Sequence, residues 1–182
     1  SALSVPYKAT VGEPIELYQL IPPPPGSSAA PKRESLASFT LEQEGPHLVL
    51  MHYRPGTKPA LKIESLTDTW LEHPVRTIRV FNFSKRTAMV KVGDQVVTLS
   101  PGQSTVFNTT SQTQVWLQAA VNENSQWTLR ASSPQLTLPN SRSTAVLIDK
   151  EPSIELPNTN ELLIRNYIER QRTPPDSIRS EM

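Results

Sequence analysis

Residues 113–131, TQVWLQAAVNENSQWTLRA, carry the clearest structural signal in the chain. Apolar and polar side chains alternate in the first half of this stretch, which is the pattern of a half-buried β-strand. Its odd positions are Thr113, Val115, Leu117, Ala119 and Val121, and its even positions are Gln114, Trp116, Gln118, Ala120 and Asn122. The pattern predicts a strand with one face in a core and the other mostly in water, then an Asn-rich turn and a second strand.

Similar short runs of β-forming residues recur about every ten residues between Ser35 and Asp149, and this range lacks helix-period patterning. Gly93-Asp94 suits a primed hairpin turn, whereas Pro55-Gly56 and Pro101-Gly102 suit type II turns. The short spacing between successive runs leaves no room for the crossover that parallel neighbours need. The sequence therefore predicts an all-β protein, an antiparallel sandwich that is immunoglobulin-like or a related Greek key.

The predicted domain organisation is a β-sandwich domain over residues 1–150 and a C-terminal arm over 151–182. A Pro-rich segment at 21–32, IPPPPGSSAAPK, interrupts the first domain. Its prolines have no backbone N–H to offer a sheet. A stiff connection between two strands is favoured there over a Pro-rich ligand for an aromatic groove.

The arm contains a candidate helix at about 160–172, NELLIRNYIERQR. Leu163, Tyr167 and Ile168 fall near helical spacing, so they form a candidate apolar stripe. A helix of this length is marginal alone in water. We therefore expect the stripe to pack on its own domain or on a partner, with a flexible tail beyond it.

Composition excludes several kinds of site. The chain has no Cys, which removes disulfides, thiolate metal sites and Cys nucleophiles. Its 6 Gly are too dispersed for a phosphate-binding loop. A net charge of +1 gives no general attraction to nucleic acid. The longest apolar run, Leu48–Met51, is far too short for a membrane span.

Titratable residues offer little support for catalysis or metal binding. His47 and His52 lie an odd number of residues apart on one predicted strand, so they point to opposite faces. His73 could join acidic neighbours in a metal site, but the favoured interpretation of these residues is an ordinary solvated surface. The candidate carboxylate pairs are Glu42 with Glu44 and Glu64 with Asp68. We expect no enzyme activity, no metal and no cofactor.

Aromatic residues supply the candidate interaction surface. Phe81 and Phe83 share one strand face with nearby cations, so they could stack bases or sugar rings. Core packing of both rings is the favoured alternative, with the cations at strand ends. Trp116 falls on the wetter face of its strand. If its side chain is exposed, it indicates a carbohydrate or protein contact, and if another part of the chain covers it, it indicates packing.

The segments VRTIRVFNFSKRTAMVKVGDQVVTLSPGQSTVF and QWTLRASSPQLTLPNSRSTAVLID add a resemblance. Their N-x-S strand end, L-x-P-G-x-S turn, tryptophan strand and closing strand near an arginine are similar to those of an uncharacterised family of exported β-sandwich proteins of the Verrucomicrobia and Planctomycetes type. The resemblance covers about residues 14–150. It implies export and a β-sandwich, and it carries no activity or site residues to this chain.

These observations together predict a non-catalytic structural or protein-interaction module of the bacterial cell envelope, either periplasmic or at the cell surface. The chain begins at Ser1, as one whose export signal has been removed would begin. The expected partner is a protein or a second copy, bound through the C-terminal helix or a sheet edge. The alternative is a carbohydrate-binding or accessory module that uses exposed aromatic residues.

Overall fold

The computed structural model describes residues 6–53, 58–59, 61–109, 113–137, 139–150 and 161–170. Every regular element within these ranges is a β-strand. The described residues contain no helix that is long and apolar enough to cross a membrane. The strands are β1 (Pro14–Ile21), β2 (Lys32–Thr40), β3 (His47–Tyr53), β4 (Leu61–Thr67), β5 (Thr77–Asn82), β6 (Ala88–Val92), β7 (Gln95–Leu99), β8 (Ser104–Asn108), β9 (Gln114–Glu123), β10 (Gln126–Leu136), β11 (Ser141–Asp149) and β12 (Leu162–Arg170). The predicted all-β class is confirmed.

The chain divides into two compact units. The hairpin unit contains the described residues up to Glu72, and the sandwich unit contains the described residues from His73 onward. This division differs from the single domain expected over residues 1–150. The hydrophobic periodicity on which that expectation rested reports where strands are, and it does not report which strands share a core.

The hairpin unit consists of two antiparallel two-stranded sheets, β1–β2 and β3–β4. The Pro-rich segment connects β1 to β2, which pair as far as Ile21 and Lys32. The segment thus links two neighbouring strands of one sheet. Only Ala37 and Asp68 are buried among the described residues of this unit.

The sandwich unit contains two four-stranded sheets. One has the strand order β10-β9-β6-β7, and the other has the order β12-β11-β5-β8. Inward side chains from both sheets join one hydrophobic cluster, with Val90 and Leu117 from the first and Ile78 and Leu147 from the second. Val115, Leu117, Ala119 and Val121 are all buried. The predicted burial of these odd positions of β9 is therefore confirmed.

Two sequence-predicted turns are present in the sandwich unit. Gly93, with a φ of 58°, begins the two-residue hairpin loop between β6 and β7. At the second turn the Gln103 N–H donates to the Ser100 carbonyl at 3.1 Å, and Gly102 has a φ of 82°. This geometry matches a type II turn with glycine at its third position. The turn predicted at 54–57 lies outside the described residues.

The C-terminal helix expected at 160–172 is wrong, because the described part of that segment is strand β12. It pairs antiparallel with β11 from Asp149–Leu162 to Ser141–Arg170. Leu162 enters the core, and Ile164 packs against it. Near the other end, the Glu169 carboxylate bonds the buried Arg142 guanidinium at 2.7 and 2.8 Å. Tertiary pairing here overrides a weak local preference for helix.

The sandwich is also not purely antiparallel, since β5 and β11 pair in parallel. Ser143 lies opposite Ile78, and Leu147 lies opposite Asn82. Short spacing between successive runs excludes parallel pairing only between consecutive strands, and β6 to β10 lie between β5 and β11 in the chain. The five intervening strands provide the long crossover that a parallel pair requires.

Candidate functional site

The outer face of the sheet β10-β9-β6-β7 presents a group of apolar side chains, which we call the tryptophan face. It comprises Met89, Val96, Trp116, Ala120, Trp127, Leu129 and Pro134. Most of these side chains are exposed, but Met89 is partly buried and Ala120 is buried. Strand alternation places these side chains opposite the buried ones, because Leu117 and its buried neighbours occupy the other face of β9. The sequence pattern of β9 therefore creates the core and this outer face together.

Trp116 is the most exposed aromatic side chain of the face, at 57 %. It lies directly opposite Pro134 of β10. Trp127 is 41 % exposed and Leu129 is 54 % exposed on the same strand, β10. Ala120 lies between Leu129 on one side and Met89 on the other. With Val96 on β7, the side chains of the face come from all four strands of the sheet.

Lys91 is the only charged side chain at the outward positions of the four described strands. Gln118 lies beside it on β9, and Ser132 lies opposite Gln118 on β10. The remaining polar groups there are amides and hydroxyls, which are less strongly hydrated than charges. Removing water from this face therefore costs little compared with an ordinary charged surface.

Phe81 and Phe83 do not contribute to an exposed surface, which corrects their place among the candidate interaction residues. Phe81 is fully buried and Phe83 is 6 % exposed, with their ring centroids 5.7 Å apart. Every residue of β5 is buried, so both faces of this central strand are covered. The core alternative is confirmed for the two rings. Arg79 is buried beside them, although its charge was expected to reach solvent at a strand end.

Leu163, Tyr167 and Ile168 do not form the stripe expected of a helix. On strand β12 the odd-numbered Leu163 and Tyr167 share one face, whereas Ile168 lies on the other face with Leu162. Leu163 and Tyr167 are partly buried, and Ile168 is 43 % exposed. The structure therefore separates Ile168 from Leu163 and Tyr167, and it places all three in the sheet that does not carry the tryptophan face.

An ion-pair network ties strand ends of both sheets together. It contains the three cations Arg86, Arg130 and Lys150 and the three anions Glu123, Asp149 and Glu161. Arg86 Nε donates to Asp149 Oδ1 at 3.0 Å, and its Nη1 lies 3.7 Å from Glu123 Oε1. Lys150 Nζ bonds Glu161 Oε2 at 2.7 Å. Balanced charges and mutual pairing are typical of a structural network.

The electrostatics of this network follow from its pairs. The hydrogen bond from Arg130 lowers the pKa of Glu123 below its ordinary value, and the same bond raises the pKa of Arg130. The hydrogen bond from Lys150 lowers the pKa of Glu161. The Arg86 contacts join residues far apart in the chain, and the pairs Glu123–Arg130 and Lys150–Glu161 depend on strand pairings that the sequence does not specify. Only the position of each charge near a strand end could have suggested them.

The histidines are placed differently from one another. His47 Nε2 donates to the Gln43 carbonyl at 2.9 Å, and its Nδ1 lies 3.1 Å from Ser65 Oγ. His73 is buried, with Nε2 donating to the Ser143 carbonyl at 3.1 Å. In the ranges that the structure describes, no three His, Asp or Glu side chains gather as a metal site would require.

The hairpin unit has an open depression of about 360 Å³ between β2 and the start of β4. Ala37, Phe39, Pro59, Leu61 and Ile63 supply its apolar lining, and Lys58 and Lys62 supply its charges. Its lining contains no carboxylate or imidazole. The depression therefore lacks the paired groups that acid–base chemistry needs. The carboxylate of Glu64, a candidate from sequence, instead pairs with Lys62 at 3.2 Å.

Comparison of the chain with protein-family models, with curated proteins and with solved structures finds no match. The resemblance to exported β-sandwich proteins therefore stays a prediction.

Proposed function

We propose that the protein is a non-catalytic interaction module of the bacterial cell envelope that binds a partner protein through the tryptophan face. The observation that carries the proposal is the exposure of Trp116, together with Trp127 and Leu129, on a sheet face with a single charge. Tryptophan and methionine are enriched where proteins bind each other, and charged residues are depleted at the centres of such interfaces. Export and the immunoglobulin-like relationship of the sandwich belong to the same proposal.

The shape of the face supports a broad protein contact. Its side chains project from paired strands with defined registers, so little backbone ordering is required when a partner binds. A large aromatic side chain such as Trp116 can contribute a dominant share of binding energy at such a surface. Removal of that side chain should therefore weaken binding far more than it weakens the fold.

Photocrosslinking in cells of the source organism tests the proposal. A photoreactive residue at Gln118, in the middle of the face, should capture a defined partner, and the adduct should disappear when Trp116→Ala is added. The matched position is Tyr53 in the hairpin unit, which is similarly exposed at 57 %. Equal capture from both positions, or capture from Gln118 that Trp116→Ala leaves intact, would contradict the tryptophan face as the binding surface.

A carbohydrate ligand is the second candidate, because indole rings share this face with amide and hydroxyl groups. Trp127 lies opposite Asn122, six residues along β9 from Trp116. At the rise of a β-strand this separation is about 20 Å, so only an extended glycan would contact both rings. A glycan array separates the candidates: binding to polysaccharide that is lost in both Trp116→Ala and Trp127→Ala would favour sugar over protein.

A further inference from the structure

Strand β7 forms the open edge of the sheet that carries the tryptophan face. It pairs with β6 on one side, and no described strand pairs with its other side. Four of its five residues, Gln95 to Thr98, are exposed. An edge of this kind presents unpaired backbone groups that can accept another strand.

The hairpin geometry determines which backbone groups face outward. A two-residue loop joins β6 to β7, so its flanking residues Val92 and Gln95 form a hydrogen-bonded pair. Hydrogen-bonded and non-bonded pairs then alternate along the ladder. Val97 and Leu99 therefore bond β6, whereas the N–H and C=O groups of Val96 and Thr98 point to the open edge.

The edges on the opposite side of the sandwich carry features that discourage strand pairing. Strand β10 contains Pro134 and a register shift between Leu129 and Ala131. Strand β12 carries charged residues, including Arg165 and Arg170. Proline, irregular register and charge are the usual means by which proteins protect sheet edges. The described edges of β10 and β12 are thus protected, in contrast to β7.

Strand β7 has none of these protective features. Its sequence QVVTL contains no charge and no proline, and its register with β6 is regular from Val92–Gln95 to Ala88–Leu99. The fourth edge, β8, is also uncharged, but its Asn108 carbonyl already accepts a hydrogen bond from Gln95 Nε2 at 2.8 Å. The β7 edge is therefore the one best suited to receive a strand.

We propose that β7 pairs antiparallel with β7 of a second copy of this chain, about a two-fold axis at Val97. In this register Val96 of one copy lies opposite Thr98 of the other, and their outward groups form four backbone hydrogen bonds. The same short strand serves both partners, as a two-fold contact requires. Because the strand is uncharged, no like charges are brought together.

The pairing would join the two sheets into one of eight strands, with a tryptophan face on each half. Two copies of a binding face on one rigid sheet can engage a repeated or symmetric partner more tightly than one face can. The dimer requires only β7 and does not depend on the tryptophan face, so the dimer and the proposed function are tested independently.

Cysteine crosslinking provides a direct test, because the chain has no Cys of its own. Opposed residues at a non-bonded antiparallel position have Cα atoms about 4.5 Å apart, which is within the range for a disulfide. Val97→Cys should therefore give a covalent dimer on mild oxidation. The matched control is Val106→Cys on β8, since Val106 and Val97 are 36 % and 37 % exposed. Crosslinking of Val97→Cys no faster than that of Val106→Cys would overturn the proposal.

Sedimentation velocity supplies the second measurement. The wild-type chain should dimerise as its concentration rises from about 10 μM to about 1 mM, since an edge contact is small and weak. Thr98→Pro should abolish the dimer, and Thr98→Val, which keeps the edge N–H, should preserve it. A proline is tolerated where the N–H faces solvent, so an unchanged circular dichroism spectrum is expected. A monomer at every concentration, or a dimer that survives Thr98→Pro, would contradict the pairing.

Discussion

The sandwich unit and the hairpin unit are built from similar hairpins but differ in what they bury. Strand β9 places Leu117 and Val121 in a core shared by two sheets, and both are fully buried. In the hairpin unit, Leu20 and Met51 are 57 % and 56 % exposed. Apolar alternation becomes burial only where a second sheet covers the first, because a two-stranded hairpin alone has no interior.

Replacing Leu117 should have the largest effect on stability, because this side chain is fully buried in the sandwich core. Leu117→Ala removes a side chain from the centre of the sandwich core and should cost about 2 to 5 kcal/mol of unfolding free energy. The exposed Leu20→Ala is the matched control and should change stability by less than about 0.5 kcal/mol. Urea denaturation of the full chain measures both. Equal losses would show that the two units do not differ in this way.

Changing the turn after β7 should give an intermediate effect. Gly102 has a φ of 82°, and a side chain there would meet no atom within 4 Å. Gly102→Val should therefore act through backbone strain alone and cost about 1 to 3 kcal/mol. Gly102→Asn should cost less, because asparagine tolerates this conformation better than β-branched residues. Thermal unfolding compares the variants, and an unchanged melting temperature for Gly102→Val would refute the turn.

Lowering the pH should have the smallest effect on stability, and this effect should come from the ion-pair network of the sandwich unit. Folding lowers the pKa of Glu123 and Glu161, so their contribution is present at neutral pH. This contribution to stability should be lost as the pH falls below about 4.5, the ordinary pKa of a glutamate, and then through the lower pKa values of the folded state. Denaturation at a series of pH values measures this loss. Glu123→Gln should reduce the dependence of unfolding free energy on pH. A pH dependence identical to that of the wild type would show that Glu123 contributes nothing to the network.

Much of the sandwich could be predicted because its signals are local. Alternation around Leu117 identified the buried face of β9, and Gly93-Asp94 identified the turn between β6 and β7. The error at β12 has a physical cause as well. Leu162, Ile164 and Ile168 fit a strand period, whereas Leu163, Tyr167 and Ile168 fit a helical one. Short amphipathic segments satisfy both periods, and only the neighbouring β11 resolves the choice.

The candidate site was predicted in part. The position of Trp116 on the wetter face of its strand followed from alternation, but whether another element covers it was left open by the sequence. Its neighbours Met89 and Pro134 come from other strands. Sequence spacing cannot show that these strands lie side by side. For the same reason the burial of Phe81 was uncertain from sequence, since one strand period cannot show whether both faces are covered.

Most strands and the turns at Gly93 and Gly102 could be located from local sequence, because backbone preferences and apolar alternation act over a few residues. Which strands pair with each other is a property of the tertiary structure alone. Examples are the parallel pairing of β5 with β11 and the extended conformation of residues 162–170 along β11. The tertiary structure also decided that charges as distant as Arg86 and Asp149 meet. Those outcomes depend on contacts between residues far apart in the chain, whose energies no local pattern records.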